Sequence, residues 1–357
     1  MINVSKPFLP PKEEYFEYLE GIWERNYLTN NGPMVRELEQ RLSEYLGVEN
    51  ILFVGNGTLA LQLAIKALSI KGEVITTPFS YIATISSVVW ENCTPVFVDI
   101  DQETLNINSE LIERSITKRT RAILATHVFG NPCNIDAIED IAERNGIKVI
   151  YDAAHCFSTE YKGSSVLNYG DISCISFHAT KMFHTVEGGA IVSRSSDIKN
   201  KLFHMRNFGH AGFYKYKGEG INAKNSELHA AMGLCNLKHI ESILQRYQSL
   251  HGAYDNLLDF TKVRKPSINM FTRYNYSYYP VIYKTEKTCL EAISILEANQ
   301  ISPRRYFYPS LNKVDYVSGQ SCPVAEDIAT RILCLPLYYE LDTSQISRIC
   351  DCIKLAQ

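Results

Sequence analysis

The chain has 357 residues, 45% of them hydrophobic, and a formal net charge of −3 at pH 7. This length and hydrophobic content predict a sizeable core in two domains, or in one large domain with an appendage. The nearly balanced charge argues against a nucleic-acid partner. No apolar run approaches the roughly 18 residues of a membrane span, and the first residues show no signal-peptide pattern. A cytoplasmic protein without a membrane partner is therefore expected.

The ten cysteines and nine histidines are scattered along the chain. The closest cysteines, Cys350 and Cys352, form no CxxC pair, so reduced and mostly buried thiols are expected. The histidines lack the HExxH spacing or a comparable metal motif. We therefore predict no metal site.

Short apolar runs alternate with amphipathic helices from Ile51 onward, which is typical of a mostly parallel sheet with helices on both faces. Ligands of such sheets bind beyond the carboxyl ends of the strands. The predicted strands are Ile51–Val54, Glu73–Thr76, Pro95–Asp99, Ile123–His127, Val149–Tyr151, Ile172–Ser176 and Ala190–Ser193.

The remaining pattern predicts the domain organisation. Residues 1–32 are interpreted as an N-terminal arm with one helix, 33–244 as a large α/β domain and 245–357 as a smaller α+β domain. The predicted elements near and beyond this last boundary are a long helix from Ser226 to about Leu250, a strand Tyr276–Tyr283 and helices Thr288–Asn299 and Ala325–Leu333.

Two features follow early strands of the predicted sheet. Gly57-Thr58 opens a helix, where free backbone N–H groups and the helix dipole suit a phosphate group. Tyr81 lies near the start of the next helix, where a flat ring can stack on a planar cofactor. Taken alone, Gly57-Thr58 is more often an ordinary turn and helix cap, and the alternative for Tyr81 is simple core packing.

A carboxylate follows the predicted strand Val149–Tyr151 directly. Asp152 is placed at the functional edge of the sheet, with His155 three residues later. Pyridoxal phosphate (PLP) needs a carboxylate against its ring nitrogen, because a protonated ring is the better electron sink. The alternative is that Asp152 only caps the following segment and that His155 is a packed histidine.

The most informative stretch runs from Ser176 to Gly188-Gly189, with Lys181 in the loop between two strands. A lysine held in such a loop is partly desolvated, which lowers its pKa and frees the amine to attack an aldehyde. A solvated surface lysine is the commoner situation for a lysine taken alone. Together with the phosphate and carboxylate positions, Lys181 indicates a PLP enzyme.

The combination resembles the DegT/DnrJ/StrS family of nucleotide-sugar aminotransferases along nearly the whole chain. The family implies PLP fold type I, an α/β fold with a mostly parallel central sheet in a large domain and a smaller α+β C-terminal domain. The segments that carry the resemblance are Gly57–Leu61, Pro78–Thr84, Asp152–His155, Ser176–Lys181 with Glu187–Gly189, Ser226–Ala231 and Leu335–Leu337.

The resemblance also implies a role for each matching residue. Lys181 would bind PLP covalently and move the proton, Asp152 would pair with the pyridine nitrogen, and His155 would lie near the phenolic oxygen. Tyr81 would stack on the ring. The phosphate would be held by Gly57, Thr58, Ser176 and, from the neighbouring subunit, Asn222. That last role implies a homodimer with shared active sites.

Two segments depart from the family pattern. Asn222-Ala223-Lys224 stands where relatives often have Asn-Tyr-Arg, and the stretch 304–311 lacks the histidine that many relatives carry after Tyr-x-Pro. Lysine is a point charge and not a planar fork, so the role of that arginine is open. Positions alone suggest substrate contacts at Asn31, Glu187, Tyr306 and Tyr308, and ordinary loop or core packing explains the tyrosines equally well.

The resemblance implies L-glutamate as amino donor and a dTDP-ketosugar as acceptor. The loop with Glu187 is similar to members that aminate C4 of dTDP-4-keto-6-deoxy-D-glucose, giving dTDP-4-amino-4,6-dideoxy-D-glucose for O-antigen or another surface polysaccharide. C3 amination of a dTDP-3-keto-6-deoxyhexose and a non-catalytic PLP-fold regulator are the alternatives. A PLP-dependent sugar dehydratase would have histidine at the position of Lys181.

Overall fold

The computed structural model describes residues 1–317 and 319–356. The strands are β1 (Ile2–Asn3), β2 (Ile51–Val54), β3 (Glu73–Thr76), β4 (Thr94–Phe97), β5 (Thr120–Thr126), β6 (Lys148–Asp152), β7 (Glu160–Tyr161), β8 (Ser164–Ser165), β9 (Ile172–Ser176), β10 (Gly189–Ser193), β11 (Val263–Arg264), β12 (Thr272–Arg273), β13 (Tyr279–Tyr283), β14 (Ile301–Ser302) and β15 (Ile332–Leu335).

The helices follow the same chain order. They are α1 (Lys12–Arg25), α2 (Pro33–Leu46), α3 (Gly57–Ala67), α4 (Ile82–Trp90), α5 (Ser109–Ser115), α6 (Ile135–Asn145), α7 (Ser196–Met205), α8 (Glu227–Lys238), α9 (Ile240–Leu257), α10 (Glu286–Ala298), α11 (Pro323–Arg331) and α12 (Thr343–Leu355). None of the helices in the described part of the chain combines the length and apolar character needed to cross a bilayer.

The central sheet has seven strands in the order β2-β10-β9-β6-β5-β3-β4, and its pairings are parallel except those of β10. Neighbouring residues of a strand point to opposite faces, and both faces are buried. Phe53 lies in one core cluster with residues of α2, α6 and α8, whereas Val54 lies in another with residues of α3 and α7. The predicted mostly parallel α/β fold is therefore confirmed.

Short polar residues define the helix starts at the edge of the sheet. The Asn56 side chain accepts a hydrogen bond from the Leu59 N–H at 2.8 Å, and Ser226 accepts one from the His229 N–H at 3.4 Å. These bonds satisfy N–H groups that the first helical turn leaves free. The cap at Asn56 places the start of α3 directly beyond β2.

The structure corrects two predicted elements. The single helix expected from Ser226 to about Leu250 is two helices, α8 and α9, separated at His239, whose ring nitrogen lies 3.0 Å from a Glu14 carboxylate oxygen on α1. The helix expected to reach Leu333 ends at Arg331, and Ile332–Leu335 pairs with β13. Tertiary contacts override the local helical pattern at both places.

The C-terminal part packs against the carboxyl edge of the central sheet. It contains the antiparallel sheet β11-β13-β15, and its strand β14 pairs in parallel with β1 of the N-terminal arm. One core cluster joins Phe79 and Phe129 of the large part to Phe307 and Ile328 of the C-terminal part. This packing brings the segment around Phe307 to the ligand-binding edge of the sheet.

Candidate active site

A cavity of about 360 Å³ lies at the carboxyl ends of the strands of the central sheet. Its wall includes Thr126, Asp152 and Ser176, which are the last residues of β5, β6 and β9. This is the edge at which open α/β sheets bind ligands. The sequence-predicted residues that line it are Gly57, Thr58, Tyr81, Asp152, His155, Ser176, Lys181, Glu187 and Tyr306.

Lys181 is held in a closed loop between β9 and β10. The Phe177 N–H donates to the Gly188 carbonyl at 2.8 Å, and the Phe177 carbonyl accepts from the Thr185 N–H at 2.9 Å. The Lys181 Nζ donates to the Tyr278 hydroxyl at 3.1 Å. Burial lowers the pKa of Lys181 to about 8, with Asp152 opposing the shift and Arg304 adding to it.

Asp152 lies in the wall of the cavity with only 5% of its surface exposed. One carboxylate oxygen accepts from the Ala154 N–H at 3.1 Å, and the other accepts from the Thr84 hydroxyl at 2.7 Å. Burial raises the pKa of Asp152, and these two hydrogen bonds and the Lys181 charge act against that rise. The carboxylate is therefore oriented, and it keeps acceptor capacity for a further donor.

The Thr84 hydroxyl belongs to a chain of buried hydroxyl groups. It lies 2.6 Å from the Ser80 hydroxyl, which lies 2.9 Å from the Thr126 hydroxyl. Such a chain fixes the direction in which Thr84 donates to Asp152. The same carboxylate is thus held by α4 and by the start of the segment after β6.

His155 packs beside Lys181 and is buried. Its Nδ1 accepts from the Phe129 N–H at 3.2 Å, and its ring centre lies 4.4 Å from that of Tyr278. Burial, and secondly the Lys181 charge, lowers the pKa of His155 well below its ordinary value. The ring is therefore neutral near pH 7, and because Nδ1 accepts, its proton lies on Nε2.

The start of α3 forms a tight backbone cradle at the cavity wall. A Cβ added at Gly57 would lie 3.1 Å from the Ser176 Cβ, and one added at Gly189 would lie 2.6 Å from the Asn56 backbone. The two glycines thus permit this close approach. The N–H groups of the first helical turn and the positive end of the helix dipole favour an anion at Gly57 and Thr58.

At the rim of the cavity, a His178 ring nitrogen lies 3.6 Å from a Glu187 carboxylate oxygen, with both side chains about half exposed. Three other predicted residues do not line the cavity. Asn31 accepts from the Arg206 guanidinium at 3.0 Å, exposed Asn222 accepts from Lys224 Nζ at 2.6 Å, and Tyr308 stacks against Arg305.

The model of the DegT/DnrJ/EryC1/StrS aminotransferase family matches residues 11–354. The chain belongs to the DegT/DnrJ/EryC1/StrS aminotransferase family. The family resemblance stated from the sequence motifs is thereby confirmed.

Two relatives of this aminotransferase carry the same name, dTDP-4-amino-4,6-dideoxy-D-glucose transaminase. The protein from Shigella dysenteriae is 44% identical over 99% of this chain and 98% of its own length. The protein from Escherichia coli is 40% identical over 98% of this chain and 96% of its own length. Both alignments cover nearly the whole chain.

The fold is shared with solved aminotransferases. The crystal structure of DesI in the presence of its TDP-sugar product superposes with a TM-score of 0.94 at 31% identity, covering 99% of this chain and 92% of that one. The fold class predicted from the strand and helix pattern is thus also supported by direct structural similarity.

Several cavity residues of the aminotransferase were not predicted from the sequence. Tyr278, Arg304 and Phe307 reach the cavity from the C-terminal part, and Ser80 reaches it from the segment before α4. Ser80 lies in one of the motifs that carry the family resemblance, which was the available signal. No local pattern indicates that Tyr278 or Arg304 lies beside Lys181.

The pKa of Lys181 leads to a prediction on the protein without added cofactor. Acetic anhydride attacks only neutral amines. The labelling rate of Lys181 should therefore rise with pH and reach half of its maximum near pH 8. In the unfolded chain the midpoint should move to the ordinary lysine value of about 10.4. Peptide mass spectrometry after pulses of anhydride measures both rates, and a midpoint of Lys181 above about 10 in the folded protein would contradict the assignment.

Proposed function

We propose that this aminotransferase uses PLP to transfer the amino group of L-glutamate to C4 of dTDP-4-keto-6-deoxy-D-glucose, which gives dTDP-4-amino-4,6-dideoxy-D-glucose. The observation that carries the proposal is the placement of Lys181, with its lowered pKa, and buried Asp152 in one cavity at the sheet edge. The choice of sugar is supported by the two relatives with that product in their name.

The residues present fit PLP at each of its functional groups. Asp152 has lone pairs left for a protonated ring nitrogen, and the Lys181 amine is available for the aldehyde. The cradle at Gly57, Thr58 and Ser176 suits the phosphate group. Tyr81, at the start of α4, keeps 55% of its surface exposed at the cavity, so its ring is free to stack.

The protein side chains divide the work of the reaction. When bound, PLP supplies the aldehyde that accepts the amine and a ring that withdraws electrons from the reacting carbon. The carboxylate of Asp152 keeps a proton on the ring nitrogen. Lys181, whose amine burial brings to a pKa of about 8, would take the proton from the α-carbon of the donor at Nζ and return it to the carbon of the cofactor aldehyde.

Two neighbouring groups support Lys181 in this role. The Tyr278 hydroxyl, at 3.1 Å from Nζ, holds the amine in position. Neutral His155 would offer its Nε2–H to the phenolic oxygen of the ring without adding a second positive charge beside Lys181. Because the same groups serve the donor and then the ketosugar, we expect ping-pong kinetics.

We also propose a homodimer in which Asn222 reaches the phosphate of the neighbouring subunit. The loop before Asn222 carries Phe213 and Tyr214, each 95% exposed, and Tyr216, 65% exposed. Clustered exposed aromatic side chains mark protein interfaces. The cytoplasmic location and the route to O-antigen or another surface polysaccharide stay predictions.

The test is an end-point assay with PLP, L-glutamate and dTDP-4-keto-6-deoxy-D-glucose, in which NMR locates the new amine. We expect it at C4 and, by light scattering, a particle of twice the 40.6 kDa chain mass. If glutamate changes the cofactor absorbance and only the 3-keto isomer gives product, the C4 assignment is wrong. If no donor changes the absorbance, the protein is not an aminotransferase and the regulator alternative applies.

A further inference from the structure

Arg304 lies in the wall of the cavity. The family motifs did not predict a cation at this place. The Arg304 backbone makes two hydrogen bonds with Cys334 of β15. The Arg304 N–H donates to the Cys334 carbonyl at 3.2 Å, and the Cys334 N–H donates to the Arg304 carbonyl at 2.9 Å. Its guanidinium lies 4.8 Å from the centre of the Tyr306 ring, and Tyr306 lines the same cavity. The backbone of Arg304 is therefore anchored to a buried strand while its side chain faces the ligand space.

Among the described residues Arg304 has no acidic partner, in contrast to the arginine beside it. Within residues 1–317 and 319–356, no carboxylate oxygen lies within 4.0 Å of the Arg304 guanidinium. Arg305 pairs with Glu286 at 3.1 Å, donates to the Thr330 carbonyl at 2.8 Å and stacks on Tyr308. Arg305 thus has a structural role outside the cavity. The Arg304 guanidinium donates a hydrogen bond to the Tyr306 hydroxyl and has further N–H donors for a ligand.

We propose that Arg304 binds the α-carboxylate of the amino donor; the inference rests on the proposed aminotransferase function. The planar guanidinium matches a carboxylate with two parallel hydrogen bonds, and a lysine in its place would lose this geometry. The α-carboxylate is attached to the same carbon as the transferred amine. Its binding group must therefore lie beside the lysine that acts on that carbon.

The electrostatics of the cavity agree with this position. The charge of Arg304 is among the causes that lower the pKa of Lys181, so the two cations are close enough to interact. Binding a carboxylate at Arg304 neutralises that charge during the step in which Lys181 works on the donor. Arg304 also lies against Tyr306, with its guanidinium 4.8 Å from the centre of the Tyr306 ring.

The experiment compares the holoenzyme forms of the wild type, R304Q, R304K and R305Q. Single-turnover absorbance of the cofactor follows the donor half-reaction with L-glutamate and with 4-aminobutyrate, which has an amine but no α-carboxylate. In R304Q the second-order rate with L-glutamate should fall by roughly tenfold to a hundredfold. The rate with 4-aminobutyrate should stay within about twofold of the wild type, R304K should be intermediate, and R305Q should behave as the wild type.

If the wild type does not react measurably with 4-aminobutyrate, the test uses L-glutamate alone, and the rate of R304Q with L-glutamate should still fall below that of the wild type. Calorimetric titration with glutarate, which cannot react, provides a readout without turnover and should show weaker binding to R304Q than to R305Q. An unchanged glutamate rate in R304Q would refute the proposal. So would a loss confined to the half-reaction with the nucleotide sugar, since Arg304 would then bind the diphosphate. If the wild type reacts with no donor, the proposed function itself fails.

Discussion

Replacement of Lys181 with alanine is expected to reduce amino-group transfer by at least about 10³-fold, because one side chain supplies both the covalent amine and the proton carrier. No other lysine among the residues that line the cavity can substitute for it. The truncation removes the hydrogen bond to Tyr278 but leaves the Phe177–Thr185 and Phe177–Gly188 backbone bonds that shape the loop. The fold should therefore survive.

Borohydride reduction makes this prediction specific to Lys181. Reduction of the wild-type holoenzyme should fix PLP to the peptide that contains Lys181, and the K181A protein should release its cofactor unchanged. Lys287→Ala, at an exposed position on α10, is the matched control and should keep full activity and full labelling. Labelling of a different lysine in the wild type would show that the covalent site has been misassigned.

Asp152→Asn should lower the turnover number by about 10²- to 10³-fold while PLP still binds, because a fixed charge against the ring nitrogen is lost. The substitution keeps the shape of the side chain. The amide oxygen can accept from the Ala154 N–H, and the amide nitrogen can donate to the Thr84 hydroxyl, which is both donor and acceptor. Thermal unfolding should therefore change little compared with the loss of activity.

Stopped-flow absorbance with L-glutamate separates the two roles that Asp152 can have. A slower proton-transfer step with unchanged donor binding indicates stabilisation of the reacting state, whereas weaker donor binding with unchanged turnover indicates a positioning role. Asp140→Asn, on the exposed face of α6, is the control and should leave both parameters unchanged. Wild-type turnover in D152N would remove Asp152 from the catalytic groups.

The sequence by itself determined the central sheet and the residues that end its strands. Asp152 and Ser176 directly follow short apolar runs, and in a parallel sheet such residues must meet at one edge. The same rule placed the start of α3 at that edge, since Gly57 follows β2 after a two-residue turn. Lys181 could be predicted because its loop connects two recognisable strands of the sheet.

Only the tertiary structure decided which C-terminal residues complete the cavity. Tyr278 and Arg304 are distant in sequence from Lys181, and they reach it because Phe307 packs against Phe79 and Phe129 at the sheet edge. The break between α8 and α9, the strand β15 and the pairing of β1 with β14 also depend on contacts between distant segments. Local patterns report the periodicity and backbone preference of a segment, but they do not contain the packing partner that selects among its conformations.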